Sequence, residues 1–167
     1  MRTVADYLRA LEEKGDVELE RKLAPVLVQL VRDDKVVVDV TPLAGTDVDK
    51  VQDITQLPVY GIVAKTTNER VSIGRSRSAD VTVHLERLSK IHAMARVCSN
   101  GDLEIDDAGS KNGTYIGPSK VDAGKKMRMK DCGTLHLGPY PFRYFQPKSF
   151  VQWLNRARGS EGPTLTN

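Results

Sequence analysis

Three short stretches of this 167-residue chain carry side chains suited to holding an anion. The first is Gly74-Arg75. Ser89-Lys90-Ile91-His92 begins fourteen residues after Arg75, and Gly109-Ser110-Lys111-Asn112-Gly113-Thr114 follows it. A phosphate monoester carries close to two negative charges at neutral pH and presents three acceptor oxygens. Holding one takes a fixed guanidinium, short hydroxyl or amide donors, and loops stiff enough to lose little affinity to ordering. Arg75, directly after a glycine at the end of a β-rich run, can supply the first. Ser89 and Asn112 can supply the second, and Gly113 permits a tight turn that aims Asn112. Taken singly each stretch is ordinary, since Gly-Arg is a common turn and Asn-Gly-Thr a common hairpin. Three of them, each beside a β-rich segment, read as one anion-binding end of a β-sandwich.

Other chemistries find less support. The sequence shows no nucleophile–base pair, phosphate-binding P-loop, metal-ligand spacing or kinase signature, which argues against an enzyme and predicts no metal or cofactor. Cys98 and Cys132 are solitary and far apart in sequence, as expected for a reduced, cytoplasmic compartment. The formal charge of +3 favours acidic partners slightly and falls short of a dedicated nucleic-acid binder. With 40% hydrophobic and 28% charged residues the composition is that of a globular protein, and no apolar run is long enough for a membrane span. The N-terminal residues lack the apolar core of a secretory signal.

The elements that must position the three stretches lie between Val59 and Phe145. Short runs such as 61–64, 70–73, 81–83, 93–97 and 103–105 are bounded by turn residues, with no helical pattern between them. Ser99-Asn100-Gly101-Asp102 reads as a hairpin turn. Lys125 to Lys130 alternates charge with methionine, as in a strand with methionines inward. On the N-terminal side, Val4, Leu8 and Leu11 form a helical stripe, with Thr3 as N-cap, Asp6 three residues on and Gly15 as the stop. Asp16 is placed to cap a second short helix. The apolar run 26–31 fits either a small hairpin with 36–40 or a helical continuation. Residues 41–58 are polar and acidic and read as a linker with at most one helical turn. At the other end Ser149 is expected to cap a helix whose Phe150, Val151, Leu154 and Ala157 share a face, and the chain from Gly159 reads as disordered. The segmentation expected is 1–57, an N-terminal mixed extension and linker; 58–147, the sandwich; 148–158, a helix; and 159–167, a tail.

The order and spacing of the three stretches resemble the forkhead-associated (FHA) domain, whose pattern is G-R, then S-[RK]-x-H, then [ST]-x-N-G-T. Each position is matched, within a resemblance covering about half of the chain. It implies a mostly β fold, an FHA-type antiparallel β-sandwich with short helical extensions at both ends. It also implies a phosphothreonine-dependent interaction module in kinase signalling, whose partner is a phosphorylated kinase or kinase substrate. By the same resemblance Arg75, Ser89 and Lys90 hold the phosphate, Asn112 bonds the ligand main chain, and His92 braces the Ser89 loop from inside. Gly74, Ser110, Gly113 and Thr114 support the site. Lys111 stands where many relatives have serine or threonine, and is either an additional cation on the phosphate or directed to solvent. Arg87, two residues before Ser89, either reads the third residue after the phosphothreonine or is a solvated loop residue. Lysine at position 90 keeps the charge but loses the bidentate fork of arginine. Asp131-Cys132-Gly133 replaces the usual Asp-Gly-Asp, so that turn must be built differently. A phospho-independent scaffold or oligomerisation domain is the alternative. Separately, self-association is expected through phosphorylated Thr46 docking in the Arg75–Ser89 site, or through the terminal helices.

Overall fold

Strand side chains alternate between two faces, and in this chain many of the short strands have only one face to bury. The computed structural model describes residues 1–32, 35–36 and 54–159. Thr46, most of the acidic linker around it and the tail after Gly159 lie outside the described residues. In chain order the elements are β1 (Arg2–Thr3), α1 (Val4–Lys14), α2 (Asp16–Lys22), β2 (Val26–Gln29), β3 (Val31–Arg32) and β4 (Lys35–Val36). A 3-10 turn at Ile54–Gln56 precedes β5 (Pro58–Gly61), β6 (Val71–Gly74), β7 (Val81–Thr82), β8 (Ala93–Val97) and β9 (Leu103–Asp107). Then come β10 (Thr114–Ile116), β11 (Ser119–Lys120), β12 (Lys126–Met129), β13 (Thr134–Leu137), β14 (Tyr140–Phe145) and α3 (Pro147–Gly159).

Twelve strands form two sheets. One is seven-stranded, in the order β1-β5-β2-β14-β13-β10-β11, and the other five-stranded, β12-β9-β8-β6-β7. All pairings are antiparallel except β6 with β7. Between the sheets, Leu27, Leu135, Leu137, Phe142 and Tyr144 meet Ile73, Ala93, Ala95, Leu103 and Ile105 in one buried cluster. The fold is a mostly β sandwich. On β12 Met129 is buried and Met127 half-buried, whereas Lys126 and Arg128 are exposed.

A second cluster covers the outer face of the larger sheet. Val26, Val28 and Phe145 point there and pack against Tyr7, Leu11, Leu19, Phe150, Trp153 and Leu154 from the three helices. Tyr7 meets Phe150 edge-on at 5.3 Å between ring centroids. Fully burying one such aromatic side chain contributes about 1.5–3 kcal/mol. The short terminal helices are thus held by this shared layer. β2 is buried on both faces, which is why its sequence lacks alternation and left strand and helix undecided. It lies between β5 and β14, so the N-terminal segment contributes a central strand.

Several local expectations are corrected. The strand expected at 61–64 runs instead over Pro58–Gly61. The 26–31 run is not one arm of a hairpin: β2 joins the large sheet, and the ribbon is Val31–Arg32 with Lys35–Val36. Gly15, at φ 80°, is the N-cap of α2, and Asp16 is its first residue. α3 begins at Pro147, a residue suited to a first helical turn because it has no N–H to satisfy. Ser149 therefore does not cap it; its hydroxyl donates to Asp131 in the β12–β13 turn. Thr3 does cap α1, its backbone N–H donating to the Asp6 carboxylate at 2.8 Å. No described helix is long and apolar enough to cross a membrane.

Candidate functional site

Gly74 ends β6 where the chain approaches the Ser89 loop too closely for a side chain. A Cβ there would lie 2.1 Å from the Lys90 carbonyl oxygen and 2.9 Å from the Ile91 Cα. This approach lets the backbone N–H groups of Arg75 and Ser76 donate to the carbonyls of Ser89 and Lys90, at 3.0 and 3.1 Å. The Arg75 Nε donates to the Leu88 carbonyl at 3.1 Å. One donor thus fixes the guanidinium on the loop, and its terminal nitrogens make no hydrogen bond to a described residue.

The third turn is organised by a residue that the sequence reading passed over. Asp107, at the end of β9 and 9% exposed, accepts the Ser110 hydroxyl at 2.5 Å and the Thr114 hydroxyl at 2.7 Å. Its other oxygen accepts the backbone N–H groups of Gly109 and Ser110 at 3.0 and 2.9 Å. Burial pushes the carboxyl pKa up, but these four hydrogen bonds outweigh it and hold the group below the ordinary aspartate value. The Ser110 oxygen in turn accepts the Gly113 N–H at 3.0 Å. A signal was present in Asp107-Ala108-Gly109-Ser110, since aspartate bonding backbone two and three residues on is a common turn-former.

His92 joins the second turn to the third. It is fully buried, its Nδ1 accepts the Ser89 N–H at 3.2 Å, and its Nε2 lies 2.8 Å from the Gly113 carbonyl. The first contact requires a bare Nδ1 and the second a proton on Nε2, so the ring is the neutral Nε2–H tautomer. Burial lowers its pKa below the usual histidine value, against the opposing influence of the Gly113 bond and Asp107. Two further ties close the frame. The Lys111 N–H donates to the Ser89 hydroxyl at 3.0 Å, and the Asn112 side-chain amide donates to the Arg87 carbonyl at 2.8 Å. Asn112 keeps its oxygen and a second N–H for a ligand.

Arg75, Arg87, Ser89, Lys90, Lys111 and Asn112 all line one cleft of about 580 Å³. Gly74, His92, Ser110, Gly113 and Thr114 stand behind it. Four of the lining residues are cationic and one, Glu86, is a carboxylate. Besides Asp107, the sequence reading missed Tyr140 and Gly138. The Tyr140 hydroxyl accepts the Arg87 N–H at 3.3 Å, and a Cβ at Gly138 would press on the Asn112 Cβ at 3.3 Å. Both come from β13–β14 and its turn, and nothing local marks them. Among the described residues no group of three or more His, Cys, Asp or Glu side chains is placed to hold a metal.

The family model described as FHA domain matches residues 71–138. No curated protein matches the chain in sequence. The FHA domain of CT664 protein from Chlamydia trachomatis is a similar solved structure, 15% identical, with a TM-score of 0.49 over 73% of this chain and 97% of that one. The N-terminal FHA domain of Saccharomyces cerevisiae Rad53p, solved with a phosphothreonine peptide, is 16% identical, with a TM-score of 0.49 over 78% of this chain and 98% of that one. Mycobacterium tuberculosis EmbR, in complex with a low affinity phosphopeptide, is 17% identical at a TM-score of 0.41. That match covers 48% of this chain and 21% of EmbR. Residues 71–138, with their Gly-Arg, Ser-Lys-x-His and Ser-x-Asn-Gly-Thr turns gathered at one end of the sandwich, are thus the part of the chain that is similar to the FHA domain family.

Proposed function

We propose that this protein is a recognition module, not an enzyme, and that it docks a phosphothreonine segment of a protein partner in the Arg75–Ser89–Lys111 cleft. The observation that carries this reading is the convergence of six residues from three turns on one cleft with four cations and one carboxylate. Arg75 supplies a guanidinium already fixed through Nε, so little side-chain ordering remains on binding. Ser89 and the lysines at 90 and 111 add donors around the phosphate, and Asn112 takes the ligand main chain. Arg87 opens the cleft to residues that follow the phosphothreonine. The partner in this reading is a kinase or a kinase substrate in the cytoplasm.

The test is titration of a phosphothreonine peptide library, with unphosphorylated peptides as controls, against wild type and Arg75→Ala. Charge-assisted hydrogen bonds contribute about 1.5–3 kcal/mol each. Arg75→Ala is therefore expected to weaken binding about tenfold to a hundredfold or more, at about 1.4 kcal/mol per decade. Its thermal unfolding should stay close to wild type, because the side chain is exposed. Equal binding of phosphorylated and unphosphorylated peptides would move the assignment to a phospho-independent scaffold.

A further inference from the structure

The Lys111-Asn112-Gly113 turn is a ridge with a cleft on each side. One is the Arg75–Ser89 cleft. The other, about 350 Å³, is walled by the same Lys111 and Asn112 and continues to Tyr115, Lys120 and Asp122. Because Lys111 and Asn112 line both, the two clefts adjoin across the ridge. Tyr115 and Lys120 are cross-strand partners in β10–β11 and so share a face of the sheet. The Tyr115 ring lies beneath the ridge, where a Cβ on Gly113 would come within 3.1 Å of its hydroxyl.

The chemistry of this second cleft is uneven. Lys111 and Lys120 are exposed and form no ion pair with a described residue, and the half-buried Tyr115 hydroxyl makes no hydrogen bond to one. Two carboxylates also line it. Asp107 is already spent on four donors, which leaves Asp122 at the rim as the remaining counter-charge among the lining residues.

We propose that this second cleft takes the ligand residues preceding the phosphothreonine and favours an acidic side chain there, held by Lys111, Lys120 and the Tyr115 hydroxyl. The inference rests on the phosphopeptide reading of the first cleft. With the phosphate between Arg75 and Ser89 and the following residues directed toward Arg87, the preceding residues are the ones left to cross the ridge. The ligand is thus an extended segment read on both sides of its phosphate.

Calorimetric titration of four phosphothreonine peptides tests this. They carry acidic, alanine or basic residues before the phosphothreonine, or acidic residues only after it. The proteins are wild type, Lys120→Gln, Asp122→Asn and Arg75→Ala. Exposed ion pairs are individually weak, so wild type should favour the acid-preceding peptide over the alanine one by about two- to fivefold. Lys120→Gln should erase that preference while still requiring the phosphate, and Asp122→Asn should keep or enlarge it. Indifference of wild type to the preceding residues overturns the proposal and leaves the phosphopeptide reading intact. So does a preference that survives Lys120→Gln, or a basic preference that disappears in Asp122→Asn. Failure of wild type to bind any of the four overturns both.

Discussion

A carboxylate only 9% exposed is costly unless donors surround it, and Asp107 has four, two hydroxyls and two backbone N–H groups. Replacing it with alanine leaves those donors without their acceptor. Asp107→Ala is expected to lower unfolding free energy by about 2–3 kcal/mol in urea titration. It should also weaken phosphopeptide binding, because Ser110, Gly113 and Thr114 lose their common anchor. His92 gives a pH dependence. Its folded-state pKa lies below the ordinary value of about 6.5, so between the two the unfolded chain binds a proton that the folded one does not. Stability therefore rises with pH across that window and falls as pH drops from above it. Protonating Nδ1 would also set a donor against the Ser89 N–H. Unfolding measured at pH 7.5 and 5.5 should show wild type losing stability in acid. His92→Gln should show a smaller loss, the remainder including His136, whose pKa is likewise lowered by burial.

Among the elements, the β12–β13 turn carries a local conflict. Cys132 is at φ 67°, and it is the one non-glycine with positive φ among the described residues. Its N–H donates to the Tyr144 carbonyl at 2.8 Å, so the turn is held in that conformation by β14. A left-handed backbone costs an L-residue about 1–2 kcal/mol, whereas glycine costs about 0.5–1 kcal/mol in chain entropy, so Cys132→Gly should gain roughly 0.5–1 kcal/mol. The expected result is a rise in Tm of about 2 °C by calorimetry. Phosphopeptide affinity should not change, since the residue lines neither cleft. The adjoining α3 is tied to this turn by Ser149 and to β14 by Phe145, which packs on Phe150 at 5.8 Å and on Trp153 at 5.3 Å.

For the whole molecule, three layers share the larger sheet as their middle, and β2 is the strand through which the N-terminal segment enters it. Residues 58–147 alone would lack β1, β2 and all three helices. β5 and β14 would then lose their common neighbour, and Val59 and Phe145 would lose their apolar cover. That fragment is expected to show no cooperative thermal transition by circular dichroism, while residues 1–159 unfold cooperatively. A cooperative 58–147 fragment would mean that the N-terminal segment is dispensable for the sandwich.

The turns were legible in the sequence because turn chemistry is local. A glycine before an arginine, a serine and histidine three apart, and an Asn-Gly pair each declare backbone geometry through their own residue types. The same holds for the capping of α1 by Thr3 and Asp6, and for the charge–methionine alternation of β12. What the tertiary structure alone decided depends on residues distant in sequence. β2 has no alternation to read because it is covered on both faces, by the five-stranded sheet on one and by helices on the other. Tyr140 and Gly138 support Arg87 and Asn112 only because β13–β14 and its turn pack against those loops. Gly74 is locally a turn glycine like any other; the need for it comes from the Lys90 carbonyl oxygen, 2.1 Å from where a Cβ would lie. Residue type sets what a turn can do; which turns share one anion-sized space is set by strand order, and that is a property of long-range pairing.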